Sequence, residues 1–169
     1  MDPLRKGSLA FGILLVAFGA ISLVIALLPG HLLGQVWPGI FYVIAAAFYL
    51  LIRLWPDLRK WLAALFIPGS IFLTLGLIFT YNVLSQDWNS WAYAWLLILS
   101  GVGVGLALAG AFGGWGRGML SVGLWMIAIP TGLFGLFAAL FGTPLLKIVG
   151  AVIVLLVGAL LLIRSQRKG

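Results

Sequence analysis

Six nearly uninterrupted apolar runs divide the chain, over about 8–28, 35–55, 61–83, 91–112, 118–141 and 144–163. Each is close to the roughly 20 residues that an α-helix needs to cross bilayer hydrocarbon. Between them stand short polar or Pro/Gly breaks: "PGHLLGQ", "PDLRK", "SQDWNS", "GGWGRG" and "FGTP". A membrane β-barrel needs segments of alternating polarity, whereas these runs are apolar on every side. The expected fold is therefore all-α: a polytopic membrane protein of six transmembrane helices in a compact bundle, one transmembrane domain over 1–169. With 64% apolar and 8% charged residues, the chain falls far below the quarter charged that is usual for a soluble domain. The first run follows "MDPLRKGS", a basic flank like that of a signal peptide. It is as long as a full span and lacks a small-x-small cleavage site, so it is expected to be retained.

Basic residues set the expected orientation. Arg5 and Lys6 precede the first run, Arg53, Arg59 and Lys60 flank the second break, and Arg117 lies in the fourth. Arg164, Arg167 and Lys168 follow the sixth run, whereas the other breaks hold only His31, Asp87 and Lys147. The positive-inside rule then places both termini in the cytoplasm, in a bacterial inner membrane. The net charge of +7 follows from this topology and calls for no nucleic-acid partner. Trp37, Trp55, Trp61, Trp88, Trp91 and Trp115 fall at or near run ends, where indole rings favour the headgroup region; Trp95 and Trp125 lie deeper. The "WNSWAYAW" cluster could alternatively contact a partner or a lipid.

Glycines supply a second pattern. "GILLVAFG" carries Gly12 and Gly19, and "GSIFLTLG", 57 residues on, carries Gly69 and Gly76 at the same spacing. Seven residues is nearly two helical turns, so each pair shares a face. In lipid, small residues permit the close backbone approach that holds spans together. Gly101, Gly105 and Ala109 form a stripe in the fourth run, and Gly150 and Gly158 recur in the sixth. These are the expected helix-packing positions. They suggest three helical hairpins of one ancestry, at about 7–55, 63–112 and 118–164, with Gly123 and Gly132 departing from the spacing in the third.

"RKGSLAFGILLVAFGAISLVI" followed by "VWPGIFYVIAAAFYLL" resembles the LiaI/LiaF-type transmembrane region of bacterial envelope-stress proteins. That family's hairpins have a Gly-containing first helix, a short outer turn, a Trp-Pro entry and a second apolar helix. The match covers the first hairpin best, the second loosely and the third poorly. The resemblance implies a bacterial membrane protein that regulates or partners other membrane proteins. This sequence has no counterpart of the soluble domain of the LiaF members, so a stress-signalling role is not carried over.

Chemistry has few residues to work with. There are no cysteines, and the acidic residues are Asp2, Asp57 and Asp87, all in tails or breaks. No carboxylate pair is placed for acid–base catalysis inside a membrane. Ser70 and Ser100 have no histidine at their depth to activate them. "SGVGVG" lies within an apolar run rather than between a strand and a helix, so it reads as packing glycine and not as a dinucleotide site. His31, the single histidine, sits in the first break; a solvated side chain is the plain reading, and a lone ligand to a pigment is the functional one. No metal site is expected, and no cofactor beyond a pigment or lipid. "FIPGS" and "AIPTGLFG" place Pro68, Pro130, Thr131 and Gly132 inside runs, where a kink frees carbonyls that can line a cavity. Thr74 and Thr131 then either face a ligand or bond their own i−4 carbonyls.

Two functions follow as expectations. The first is a non-enzymatic accessory, assembly or regulatory subunit that binds other membrane proteins, or itself, through helix faces. The alternative is a small transporter or channel for an uncharged or lipidic solute.

Overall fold

The computed structural model describes residues 34–166 and, before them, Gly12, Leu15, Val16, Gly19, Ser22 and Leu23. Among these residues the chain is helical throughout and has no strand. Five principal helices carry the fold: α1 (Gly39–Leu54), α2 (Phe66–Ser85), α3 (Leu96–Phe112), α4 (Arg117–Phe141) and α5 (Pro144–Gln166).

Local sequence explains where each begins and ends. Trp55 precedes Pro56, which disfavours helical backbone at the residue before it, and Trp55 accordingly sits at φ −123°, ψ 75° and ends α1. Between α1 and α2 the chain winds as 3₁₀ at Pro56–Leu58, as one α-turn at Arg59–Leu62, and again as 3₁₀ at Ala63–Leu65. Pro68 lies in the first turn of α2, where a missing N–H costs little. The irregular winding falls in the turn before it, because Pro68 has no N–H to donate to Ala64. Gln86 ends α2 in the left-handed region at φ 56°, a conformation a non-glycine residue adopts at a cost of about 1 kcal/mol. Gly114 and Gly116, at φ 81° and 88°, make the turn into α4 without that cost. Pro144 opens α5 at the first helical position, and the amide of Lys147 donates to the Thr143 carbonyl at 2.8 Å.

Two helical stretches are long and apolar enough to cross a membrane: Pro56–Ser85, of 30 residues, and Arg117–Phe141, of 25. Trp88–Ala94 and Leu96–Phe112 make a third if the 53° bend between them lies within one span. That bend, at Trp95 in the fourth apolar run, involves no proline. Gly39–Leu54 and Pro144–Ala159 are apolar but shorter.

Among the described residues, large apolar side chains face outward and a few polar ones are buried. The buried polar residues are Ser70, Asn82, Ser90 and Ser100, while Leu84, Phe141 and Leu155 are each 72–75% exposed. A small buried core joins Ile78, Tyr93, Ala94, Leu96, Phe134, Ala138 and Leu146.

The helices pack as a row, each chiefly against the next in sequence: α1 on α2, α2 on α3, α3 on α4 and α4 on α5. Each seam is built on small residues. On α2, Gly69 and Gly76 seat two tyrosine rings of α1: a Cβ at Gly76 would lie 2.9 Å from the ring of Tyr42, and one at Gly69 3.4 Å from that of Tyr49. Tyr42 and Tyr49 are themselves seven apart, so the glycine spacing is matched ring for ring on the facing helix. Gly101 and Gly105 meet Ser70, Thr74 and Ile67 of α2, and Ala109 is fully buried on the same stripe. The opposite face of α3 meets α4 most closely of all, Gly103 and Ala107 against Gly123 and Gly110 against Leu120. Gly135 meets Gly150 across the α4–α5 seam.

The expected hairpins are not separate packing units within this row. The tightest seam, α3 on α4, crosses the boundary drawn between the second and third hairpins, because "GGWGRG" is a close glycine turn rather than a spacer. Gly123, which breaks the seven-residue spacing, is a principal contact of that seam. Gly158 has nothing within 4 Å of an added Cβ, and the same holds for Gly12 and Gly19 among the described residues.

Candidate functional site

A cavity of about 310 Å³ opens between α2, α3 and α4, closed at one end by Leu146 of α5. Its size is at the lower end of the roughly 300–1,000 Å³ typical of small-molecule sites. Leu77, Ile78, Leu97, Val104, Ile127 and Phe134 give it an apolar wall, into which Thr74, Tyr81, Ser90, Ser100 and Thr131 bring hydroxyls. Gly101 in its wall lets α3 approach α2 closely: a Cβ there would stand 2.6 Å from Thr74 Oγ1.

The hydroxyls are committed to partners within the protein. Thr74 Oγ1 donates to the Ser70 carbonyl one turn back at 2.9 Å, the self-bonding that a membrane threonine commonly adopts. Ser100 Oγ and Thr131 Oγ1 pair across α3 and α4 at 2.9 Å, and Ser100 also lies 3.5 Å from the Ile127 carbonyl. Proline at 130 has no N–H for Met126, so this inter-helix pair braces α4 next to its weakened turn. Among the described residues no buried side-chain polar atom lacks a partner. Among the described residues the lining therefore offers internally bonded hydroxyls and carries no basic group.

A second cavity, of about 560 Å³, adjoins it, lined by Asp87, Asn89, Ser90, Ala92, Tyr93, Phe137, Phe141, Gly142 and Thr143. Ser90 lines both. Tyr81, in the wall of the first, reaches two residues of the second: its hydroxyl donates to Asp87 Oδ2 at 3.3 Å and pairs with Thr143 Oγ1 at 3.2 Å. Tyr81 thus links the linings of the two spaces at what we term the neck.

Asn82 holds the neck's backbone in place. It is fully buried near the end of α2; its amide donates to Ser90 Oγ at 2.7 Å and to the Asp87 carbonyl at 2.8 Å, and its oxygen accepts from Trp91 Nε1 at 2.9 Å. Ser90 Oγ donates to the same Asp87 carbonyl at 2.7 Å. One side chain thus fixes the chain reversal after Gln86 and aims the Asp87 side chain at Tyr81. Two tryptophans at run ends therefore have structural work inside the protein. Trp91 closes the Asn82 network, and Trp115 Nε1 donates to the Lys60 carbonyl at 3.0 Å, tying the α3–α4 turn to the segment before α2.

Of the residues singled out in the sequence, Thr74, Thr131 and Gly101 meet at the first cavity. Pro68 does not line it. Gly132 turns toward α5, where its nearest neighbour is Val157 at 3.7 Å. His31 lies outside the described residues. Asn82, Tyr81, Ser90 and the Gly103–Gly123 contact were not singled out. Asn82 and Asp87 did carry a signal, as the polar pair closing an apolar run and opening the next break. Among the described residues no three His, Cys, Asp or Glu side chains gather as a metal site would require. Comparison with protein-family models, curated proteins and solved structures finds no match to the chain.

Proposed function

We propose that the protein is a multi-pass bacterial inner-membrane protein of six spans with both termini cytoplasmic. In this reading it is non-enzymatic and binds a small lipidic or uncharged solute between α2, α3 and α4, as a transporter or channel. The observation that carries the reading is the apolar cavity with convergent, internally bonded hydroxyls from three helices. Its setting supports a lipid surround: large apolar side chains face outward, where water would disfavour them, and polar ones are paired inside. The test is native mass spectrometry of protein extracted in mild detergent. A bound lipidic mass is expected in the wild type and should vanish in Thr131→Phe, which fills the cavity. Retention of that mass in the filled variant would remove the basis of the proposal. In liposomes, solute flux that Pro130→Ala leaves unchanged would count against α4 as a moving element.

A second reading, an accessory or regulatory subunit that contacts other membrane proteins or a second copy through helix faces, is favoured by a different observation. Gly158 offers a small position on α5, and Gly12 and Gly19 two more, with nothing seated on any of them among the described residues. The LiaI/LiaF-type resemblance belongs with this reading. Loss of a co-purifying partner on Gly158→Leu, with the bundle intact, is its expected signature.

A further inference from the structure

Resting on the cavity reading above, we propose that the two adjoining cavities open into each other when Tyr81 turns, and then form one site for an amphiphile with an alkylammonium head. The head sits beside Asp87 in the wider cavity and the aliphatic tail in the narrower one between α2, α3 and α4.

Three features of the wider cavity specify a cation. Asp87 supplies a carboxylate, and among the described residues no lysine or arginine lines either space. Tyr93, Phe137 and Phe141 form an aromatic wall around it, with Phe137 and Phe141 stacked at a centroid separation of 6.4 Å and an interplanar angle of 24°. A carboxylate beside aromatic faces is the chemistry that recognises alkylated ammonium groups, because ring quadrupoles attract a cation without requiring it to donate hydrogen bonds. The backbone under Asp87 is held by Asn82 and Ser90, so the carboxylate is positioned before any ligand arrives.

The narrower cavity specifies the rest. Its wall is apolar apart from hydroxyls bonded within the protein, so it favours a hydrocarbon tail over an anion. Tyr81 marks the boundary between head and tail. Its hydroxyl spans from the Asp87 carboxylate to Thr143, and a head that takes over Asp87 Oδ2 frees the tyrosine to turn out of the neck. The site therefore couples head recognition to tail entry through one side chain.

The experiment is native mass spectrometry from uncharged maltoside micelles. Dodecyltrimethylammonium competes at equal concentration with an uncharged analogue that has a tert-butyl head. The wild type is expected to retain the cation by roughly tenfold over its neutral analogue, the scale of one lost charge contact in a partly buried site. Asp87→Asn should abolish the preference and Asp87→Glu should restore most of it. Tyr81→Phe should weaken the closed neck without removing the preference. A parallel arm with phosphatidylethanolamine identifies the source: its retention marks a membrane lipid as the ligand, and retention of the single-chain cation alone marks a free amphiphile.

Equal binding of both heads, unchanged by Asp87→Asn, overturns the ammonium assignment and leaves the cavity reading standing. Absence of either amphiphile from protein that is monodisperse and helical overturns both. Should Asp87→Asn fail to fold, Phe141→Leu provides the same discrimination, because it thins the aromatic wall at an exposed position and should lower the preference for the cation.

Discussion

Asn82 shows how much one polar residue decides in an apolar chain. Its amide satisfies the Asp87 carbonyl, the Ser90 hydroxyl and the Trp91 indole together. Removing it leaves buried groups unpaired, at about 1–3 kcal/mol each. Asn82→Leu, nearly the same size, is therefore expected to lower the denaturant midpoint of the purified protein clearly, and to blunt Trp91 fluorescence changes that report the turn. A midpoint equal to wild type would mean that the network does not hold the turn. Ser100→Ala and Thr131→Val each delete half of one hydroxyl pair. A double-mutant cycle should return a coupling of about 0.6 kcal/mol, the average for membrane inter-helix hydrogen bonds. Thr74, which bonds its own helix, should show no such coupling to Thr131.

At the scale of elements, glycines of equal appearance differ by what faces them. An added side chain at Gly123 would run into the backbone of Ala107, and one at Gly76 into the ring of Tyr42. Backbone cannot yield, whereas a tyrosine ring can turn. Gly123→Leu is thus expected to disrupt the bundle, and Gly76→Leu to cost about 1–3 kcal/mol, the range for overpacking. Gly158→Leu meets nothing among the described residues and should fall within about 0.5 kcal/mol of wild type. Thermal aggregation of the three variants in one detergent ranks them, and a Gly158 variant as damaged as the Gly123 one would contradict the packing order. The seven-residue spacing of Gly69 and Gly76 was visible in the sequence, but its purpose was not. It marks where Tyr42 and Tyr49 lie across the seam, and nothing in α2 alone names its partner helix.

For the whole molecule, topology is open to direct test because the chain has no cysteine of its own. Single-cysteine variants at Asn89 and Arg117 are both exposed and lie in different turns. In right-side-out vesicles, a membrane-impermeant maleimide should label Asn89→Cys but not Arg117→Cys until the vesicles are opened. The reverse pattern would invert the proposed orientation and place the wide mouth of the site on the cytoplasmic side.

Hydropathy by itself pointed to an all-helical chain and placed the ends of α4 and the start of α5 to within a residue. Both readings are local, since a backbone without water must bond within its own helix. Hydropathy also marked Thr74 and Thr131, because a hydroxyl in an apolar run stands out wherever it points. Only the tertiary structure decided that α3 packs most closely on α4, that the sharp bend falls at Trp95 rather than at a proline, and that Tyr81 and Asp87 meet at the neck of a cavity. These depend on which faces meet. Several seams made of glycine and alanine offer nearly equal van der Waals contact when considered singly, so the choice among them belongs to the assembled row.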